Sequence, residues 1–123
     1  MVEIREYRRS DWPGVWPILR ETILAGETYA FSPESGEEEI RRAWTEAPAS
    51  AFVACETDGR ILGTYLIRPN QPGLGSHVCN CGYVVCASAR GRGIAARMCQ
   101  HSQLEAISRG FRAMQFNFVV ATN

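Results

Sequence analysis

The chain has 123 residues, with 13 basic and 13 acidic side chains, a formal net charge of zero, 46% hydrophobic residues and 21% charged ones. That length fills one core and not two, so a single domain, 1–123, is expected, and the composition is that of a globular protein rather than a disordered one. Balanced charge with a pI near 6.7 argues against nucleic acid or an anionic membrane as a partner. No apolar stretch approaches the ~18 residues of a membrane span, and the first residues, Met1 to Arg9, carry no apolar signal segment, so a cytoplasmic location is the default expectation.

Taken from the N-terminus, Val2 to Tyr7 alternates apolar and polar side chains and predicts a strand. Ser10 then predicts a helix cap, with Pro13 tolerated in the first turn. Trp12, Val15, Trp16, Leu19 and Ile23 recur at helical spacing as one apolar face. Pro17 should bend this helix or delay its regular part, and Gly26 should end it. Ser35 with Glu38 three residues later reads as a capping box. It introduces a second helix over 36–47, with Ile40, Ala43, Trp44 and Ala47 facing inward and Glu37, Glu38, Glu39, Arg41 and Arg42 as a solvated face.

Strands are expected next. Ala51 to Glu56 and Arg60 to Arg68 flank Asp58-Gly59, a strong hairpin signal. After a loop at Asn70 to Gly75, His77 to Cys86 is almost wholly apolar, as a central strand is, and Gly82 in its middle suggests a bulge or a close approach by a ligand. A third helix is expected over 91–109, ended by Gly110. The last run alternates, with Phe116, Phe118 and Val120 on one face and Gln115, Asn117 and Val119 on the other. The order β-α-α-β-β-β-α-β describes an α/β (α+β) domain whose mixed, mostly antiparallel sheet has helices on both faces and one right-handed crossover before the last strand.

Five cysteines, Cys55, Cys79, Cys81, Cys86 and Cys99, form no C-x-x-C pair. Buried reduced thiols are the expected reading, and no metal site is expected. His77 is expected to be structural, and His101, in mid-helix, to lie at the surface.

The most informative stretch is Arg90-Gly91-Arg92-Gly93-Ile94-Ala95. It links an apolar strand to a helix. The first turn of a helix carries four N–H groups without partners and the positive end of the dipole, so it favours an anion. Gly91 and Gly93 let a phosphate approach the backbone, and Arg90 and Arg92 can fork onto its oxygens. A P-loop is ruled out because the chain contains no lysine. A dinucleotide fingerprint is ruled out because Ala96 stands where its third glycine would be, and no acidic residue follows at the required distance.

Arg-x-x-Gly-x-Ala at Arg90, Gly93 and Ala95 resembles the coenzyme A pyrophosphate loop of the GCN5-related N-acetyltransferase (GNAT) superfamily, whose element order the chain also shares. That resemblance implies acetyl-CoA as co-substrate and no metal. It also implies fourth and fifth strands that splay apart around the thioester arm. The backbone of Tyr83, Val84, Val85 and Cys86 would then hold the pantetheine, its N–H groups polarising the thioester carbonyl, and residues 90–95 would hold the diphosphate.

His77 to Tyr83 and Gln115 to Asn123 further resemble segments of the fungal acetyltransferases that detoxify azetidine-2-carboxylate and related proline analogues, and their bacterial relatives. By that resemblance Asn80 grips the carboxylate of an acceptor, and Asn117 and Asn123 position its nitrogen and assist transfer. Glu27 and Tyr29 border the acceptor pocket. The implied chemistry is direct attack of a neutral amine of a small molecule or amino acid on the thioester, with the protein supplying position and electrostatics. The family continues past Asn123 into a further helix and a pair of strands. The chain is therefore expected to be C-terminally truncated, with a homodimer as one way to cover its last strand. The alternative function is a coenzyme A-binding relative without turnover.

Overall fold

The computed structural model describes residues 2–25, 34–69 and 78–120, the last five of these by backbone alone. Gly26, Glu27, Tyr29, the loop at 70–75, His77 and Asn123 lie outside the described residues. The strands are β1 (Glu3–Glu6), β2 (Ser50–Cys55), β3 (Ile61–Pro69), β4 (Val78–Val85) and β5 (Ala113–Val120), and the α-helices are α1 (Trp12–Leu24), α2 (Glu37–Thr45) and α3 (Ile94–Ser108). They form one five-stranded sheet in sequence order, β1-β2-β3-β4-β5. Every neighbouring pair is antiparallel except β4 and β5, which are parallel and joined through α3. The expected element order and mixed sheet are both present.

The pleat divides the sheet into two apolar faces. Phe52, Tyr65, Cys79, Cys81, Tyr83 and Val85 pack on one side with Ile94, Met98 and Ala106 of α3. Ala51, Val53, Leu66 and Val84 pack on the other with Val15, Ile18, Leu19 and Ile23 of α1 and Ile40 and Trp44 of α2. β4 contributes to both faces and is buried along nearly its whole length, which accounts for its continuous apolar run.

The helix ends depart from the sequence reading. The cap at the start of α1 is Asp11, not Ser10. The Asp11 carboxylate accepts the Arg8 N–H at 2.7 Å and both terminal nitrogens of Arg5 at 2.8 and 2.9 Å. It closes a short 3-10 turn, Arg9–Asp11, that leads into the helix. With its carboxylate turned back to Arg5 and Arg8, Asp11 makes no side-chain bond to the first turn of α1. The helix runs without interruption through Pro17.

The Ser35–Glu38 capping box does not form. Gly36 is the N-cap residue, without a side-chain bond, because Glu38 is held by Arg41 and Arg42 at 2.6 and 3.0 Å. Those two arginines pull the Glu38 carboxyl down to about 2. Ala47 lies beyond the helix end and is exposed rather than inward-facing. α3 ends in a Schellman motif: Gly110 has φ +85°, and the N–H groups of Gly110 and Phe111 donate to Ile107 and Ala106 at 3.0 Å each.

Three polar bridges lock the layers. Trp44, fully buried, donates from Nε1 to Thr64 Oγ1 at 3.0 Å, and Thr64 donates on to the Phe52 carbonyl at 2.8 Å. On the opposite face Tyr83 and Ser102 share a 2.6 Å hydroxyl bond. Beside it Tyr65 and His101 Nδ1 meet at 2.6 Å. His101 is therefore half-buried, edge-on to Phe52 and Tyr65, and is not the surface residue its place in the helix suggested. Thr64→Val should remove the buried Trp44–Thr64 and Thr64–Phe52 bonds and destabilise the fold by about 1–3 kcal/mol. A urea titration should show an earlier midpoint with an unchanged slope.

Candidate cofactor site

Between β4 and α3 the chain makes a 3-10 turn, Ala87–Ala89, and then the loop 90–93. Gly91 and Gly93 take φ +86° and +76°, a region that L side chains enter only with strain. A Cβ built on either would meet no atom within 4 Å. Glycine is thus required by the backbone and not by crowding, and the space above the loop is open.

Gly93 is the N-cap of α3 and supplies no side-chain acceptor, and the first turn, Ile94, Ala95, Ala96 and Arg97, contains no acidic residue. Helix starts ordinarily carry Ser, Thr, Asp or Asn at the cap and acids just inside it. The contrast with α2 is direct, since Glu37, Glu38 and Glu39 stand in its first turn. The start of α3 therefore presents N–H donors and a positive dipole end to solvent with no compensation from its own turn. Ile94 and Met98, 2% and 0% exposed, fix it against the sheet. Gly91, Arg92 and Gly93 are exposed, and Ala95 is half-buried.

The two arginines differ from each other. Arg90 is half-buried and interacts within the chain. Arg92 reaches the hairpin between β2 and β3, where its Nη2 donates to Glu56 Oε2 at 2.8 Å. The Arg92 guanidinium holds the Glu56 carboxyl below the usual carboxylate range. Glu56 was not singled out by the sequence. The hairpin is legible in Asp58-Gly59, but nothing at position 56 announces a partner 36 residues away.

Glu21, on α1, was also not foreseen. Its carboxylate accepts the Ala87 N–H at 3.1 Å, just past the end of β4. A groove of about 430 Å³ runs between α1 and the β2–β3 hairpin, lined by Gly14, Ile18, Arg60, Leu62, Cys86 and Ser88. It thus reaches the turn that precedes the loop.

Within the strand positions expected to hold a pantetheine, Tyr83, Val84 and Val85 are buried, and the Tyr83 side chain is committed to Ser102. Only their backbone can serve a ligand. Cys86 departs from the expectation, because its N–H donates to the Leu62 carbonyl at 2.8 Å and its carbonyl accepts from Ala89. That donor is taken by the continuing β3–β4 pairing.

The expected gap between β4 and β5 is also absent: the strands pair from Val78–Ala113 to Val84–Val120, with one register shift between Cys81 and Gly82. Cys81 pairs with Phe116 and Gly82 with Phe118, so Asn117 is the extra residue of a bulge. The bulge interrupts the strict alternation expected along β5. Asn80 lies two residues before Gly82 and is 7% exposed. It stands across from Arg68 on β3 and Gln115 on β5. Asn80, Gly82 and Asn117 therefore come together along the β4–β5 seam, while Glu27, Tyr29 and Asn123 lie outside the described residues.

Three of the five thiols are poor nucleophiles. Burial pushes Cys81 to about 12 and raises Cys79 and Cys99, so all three are protonated at neutral pH. Among the described residues no group of three His, Cys, Asp or Glu side chains is placed to hold a metal ion, and no helix is long and apolar enough to cross a membrane.

The loop, the parallel crossover and the sheet order have counterparts among known proteins. The model of the acetyltransferase (GNAT) family matches residues 1–123. The chain belongs to the GNAT family of acetyltransferases. Its GNAT fold is closely shared by a GCN5-related N-acetyltransferase from Kribbella flavida, 40% identical with a TM-score of 0.88 over 94% of this chain and 71% of that one. The N-acetyltransferase aca1 of Schizosaccharomyces pombe is 38% identical over 77 residues, 63% of this chain, and the match spans 37% of that protein's length. A phosphinothricin acetyltransferase from Sinorhizobium meliloti, solved in complex with AcCoA, shares the fold at 23% identity, with a TM-score of 0.77 over 92% of this chain and 63% of that one.

Gly93→Ala should cost about 1–2 kcal/mol of stability through backbone strain alone, because its Cβ meets open space. Chemical denaturation should show that loss with no change in far-ultraviolet circular dichroism.

Proposed function

We propose that the chain transfers the acetyl group of acetyl-CoA to the amine of a small molecule or amino acid. The observation that carries this reading is the uncapped first turn of α3, entered through two left-handed glycines in a chain of the GNAT family. The donors, the open space above them and the loop arginines fit a diphosphate. Acetyl-CoA, when bound, supplies an acetyl group activated as a thioester. The Sinorhizobium meliloti relative, solved with AcCoA, supports the same ligand class.

In this reading Gly91, Gly93, Ile94 and Ala95 present backbone N–H groups to the diphosphate, and Arg90 and Arg92 contribute charge. Val84 and Val85, and Tyr83 through its backbone, flank the pantetheine. The β4–β5 seam is where acceptor and thioester meet. A bulge interrupts a ladder and leaves backbone groups without strand partners, and such donors can polarise a carbonyl. Asn80 and Asn117 adjoin that interruption and orient the acceptor, with Asn123, Glu27 and Tyr29 as further acceptor residues. A neutral amine needs position more than a strong side-chain base, since water can carry its proton away.

Calorimetric titration with coenzyme A should show binding to the native chain. Gly93→Glu should weaken that binding on the order of 100-fold or more, by placing a negative charge in the seat. Gly93→Ala controls for strain. Undiminished affinity in Gly93→Glu would remove the diphosphate site. Release of free thiol from acetyl-CoA with a panel of amino acids, azetidine-2-carboxylate among them, tests turnover. Binding without thiol release for any amine would favour a coenzyme A-binding protein instead.

A further inference from the structure

With the diphosphate seated at loop 90–93, we propose that Glu56 is an internal counter-anion that holds Arg92 beside the seat and is exchanged for a phosphate oxygen when the cofactor binds, which presupposes the cofactor reading above. Glu56 sits at the base of the β2–β3 hairpin. Its N–H donates to the Arg60 carbonyl at 2.9 Å, and its carbonyl accepts the Gly59 N–H at 2.8 Å. The backbone that carries this carboxylate is therefore fixed from both sides, and the carboxylate itself is 18% exposed.

Arg92, at 43% exposed, is the more solvent-exposed member of the pair. It gives Glu56 a single contact, Nη2 to Oε2 at 2.8 Å. A guanidinium has five N–H donors, so most of the fork remains for another anion. The first turn of α3 adds no acid of its own, and the hairpin's other acid, Asp58, accepts the Arg60 N–H at 2.9 Å. The Glu21 carboxylate bonds the same segment at the Ala87 N–H, a contact that does not involve Arg92.

The exchange has a direction. A single-contact ion pair with a half-exposed guanidinium contributes little stability, whereas a phosphate beside the first turn of a helix interacts with the guanidinium, the N–H groups and the dipole together. The phosphate therefore outcompetes Glu56, and the displaced carboxylate subtracts from apparent affinity by its pairing energy and its repulsion. Glu56 thus keeps the arginine near the seat while the seat is free, and limits how tightly the cofactor is held. Weak enough holding permits release of the coenzyme A product.

Calorimetry on the whole chain tests this with coenzyme A and with pantetheine, which lacks the diphosphate. Glu56→Gln keeps the side-chain shape and should bind coenzyme A about two- to fivefold more tightly, with pantetheine unchanged. In an Arg92→Ala background the gain from Glu56→Gln should vanish. Glu21→Gln removes the same unit of charge without touching Arg92, and its effect should survive in that background. Weaker or unchanged coenzyme A binding by a folded Glu56→Gln chain would overturn the exchange, as would a gain that persists undiminished without Arg92. A native chain that binds no coenzyme A overturns the cofactor reading itself, whereas a native chain that binds it and loses it in Gly93→Glu retains that reading whatever Glu56 does.

Discussion

The left-handed turn through Gly91 and Gly93 is the constraint on which the site depends. After β4 the chain must reverse from a strand in the middle of the sheet into a helix packed on one face of it. Two residues at φ +86° and +76° make that reversal. They also decide what stands at the helix start, because a glycine N-cap offers no oxygen to the orphan N–H groups. An ordinary cap would contribute roughly 1 kcal/mol. The chain forgoes that contribution at α3 while compensating α2 with three glutamates. A helix left uncompensated at its N-terminus is useful where an anion is to be received.

The remainder of the fold holds that turn in place. α3 is pinned by Ile94 and Met98 and tied to the sheet through Tyr83–Ser102 and Tyr65–His101. These hydroxyl and imidazole bonds cross from β3 and β4 to the middle of the helix. They constrain its rotation about its own axis in a way that apolar contacts alone do not. α1 and α2 cover the other face, so the C-terminal end of β4 lies at a crossover from one layer to the other. Ligands of open α/β sheets favour the carboxyl ends of parallel strands for the same geometric reason, and here the single parallel pair is β4 with β5.

What the sequence made legible follows from how local each signal is. The strand, loop and helix around 90–95 are specified within a few residues, so motif and periodicity suffice to place them. Gly110 and Asp58-Gly59 are local in the same sense, and both turn the chain where expected. The misplaced caps have the opposite character. Asp11 stands at the N-cap in place of Ser10, and its carboxylate is bound to Arg5, on the preceding strand. Ser35 loses Glu38 to arginines on the next turn. His101 looks like a surface residue in its helix, and only the arrival of Tyr65 from β3, 36 residues earlier, gives it a partner. Glu56 and Arg92 belong to the same class, since their pairing exists only after the sheet has formed.

The seam between β4 and β5 carries a small irregularity within a continuous sheet. The flanking residues are regular: Asn80 pairs with Gln115 and Val84 with Val120. Between them β5 carries one residue more than β4, and that residue is Asn117. An extra residue bends its strand, increases the local twist and leaves its backbone outside the ladder. Placing a glycine, Gly82, on the opposing strand removes the side chain that would otherwise stand beside this irregularity. Asn80, two residues earlier on β4, is buried and polar in an otherwise apolar strand, a costly placement unless its amide is paired. The bulge and the buried amide adjoin along one strand, upstream of the loop proposed to receive the diphosphate. A ligand anchored at the start of α3 and extended back along β4 would pass the seam on its way, so in the proposed function one strand sets the spacing between anchor and reaction centre.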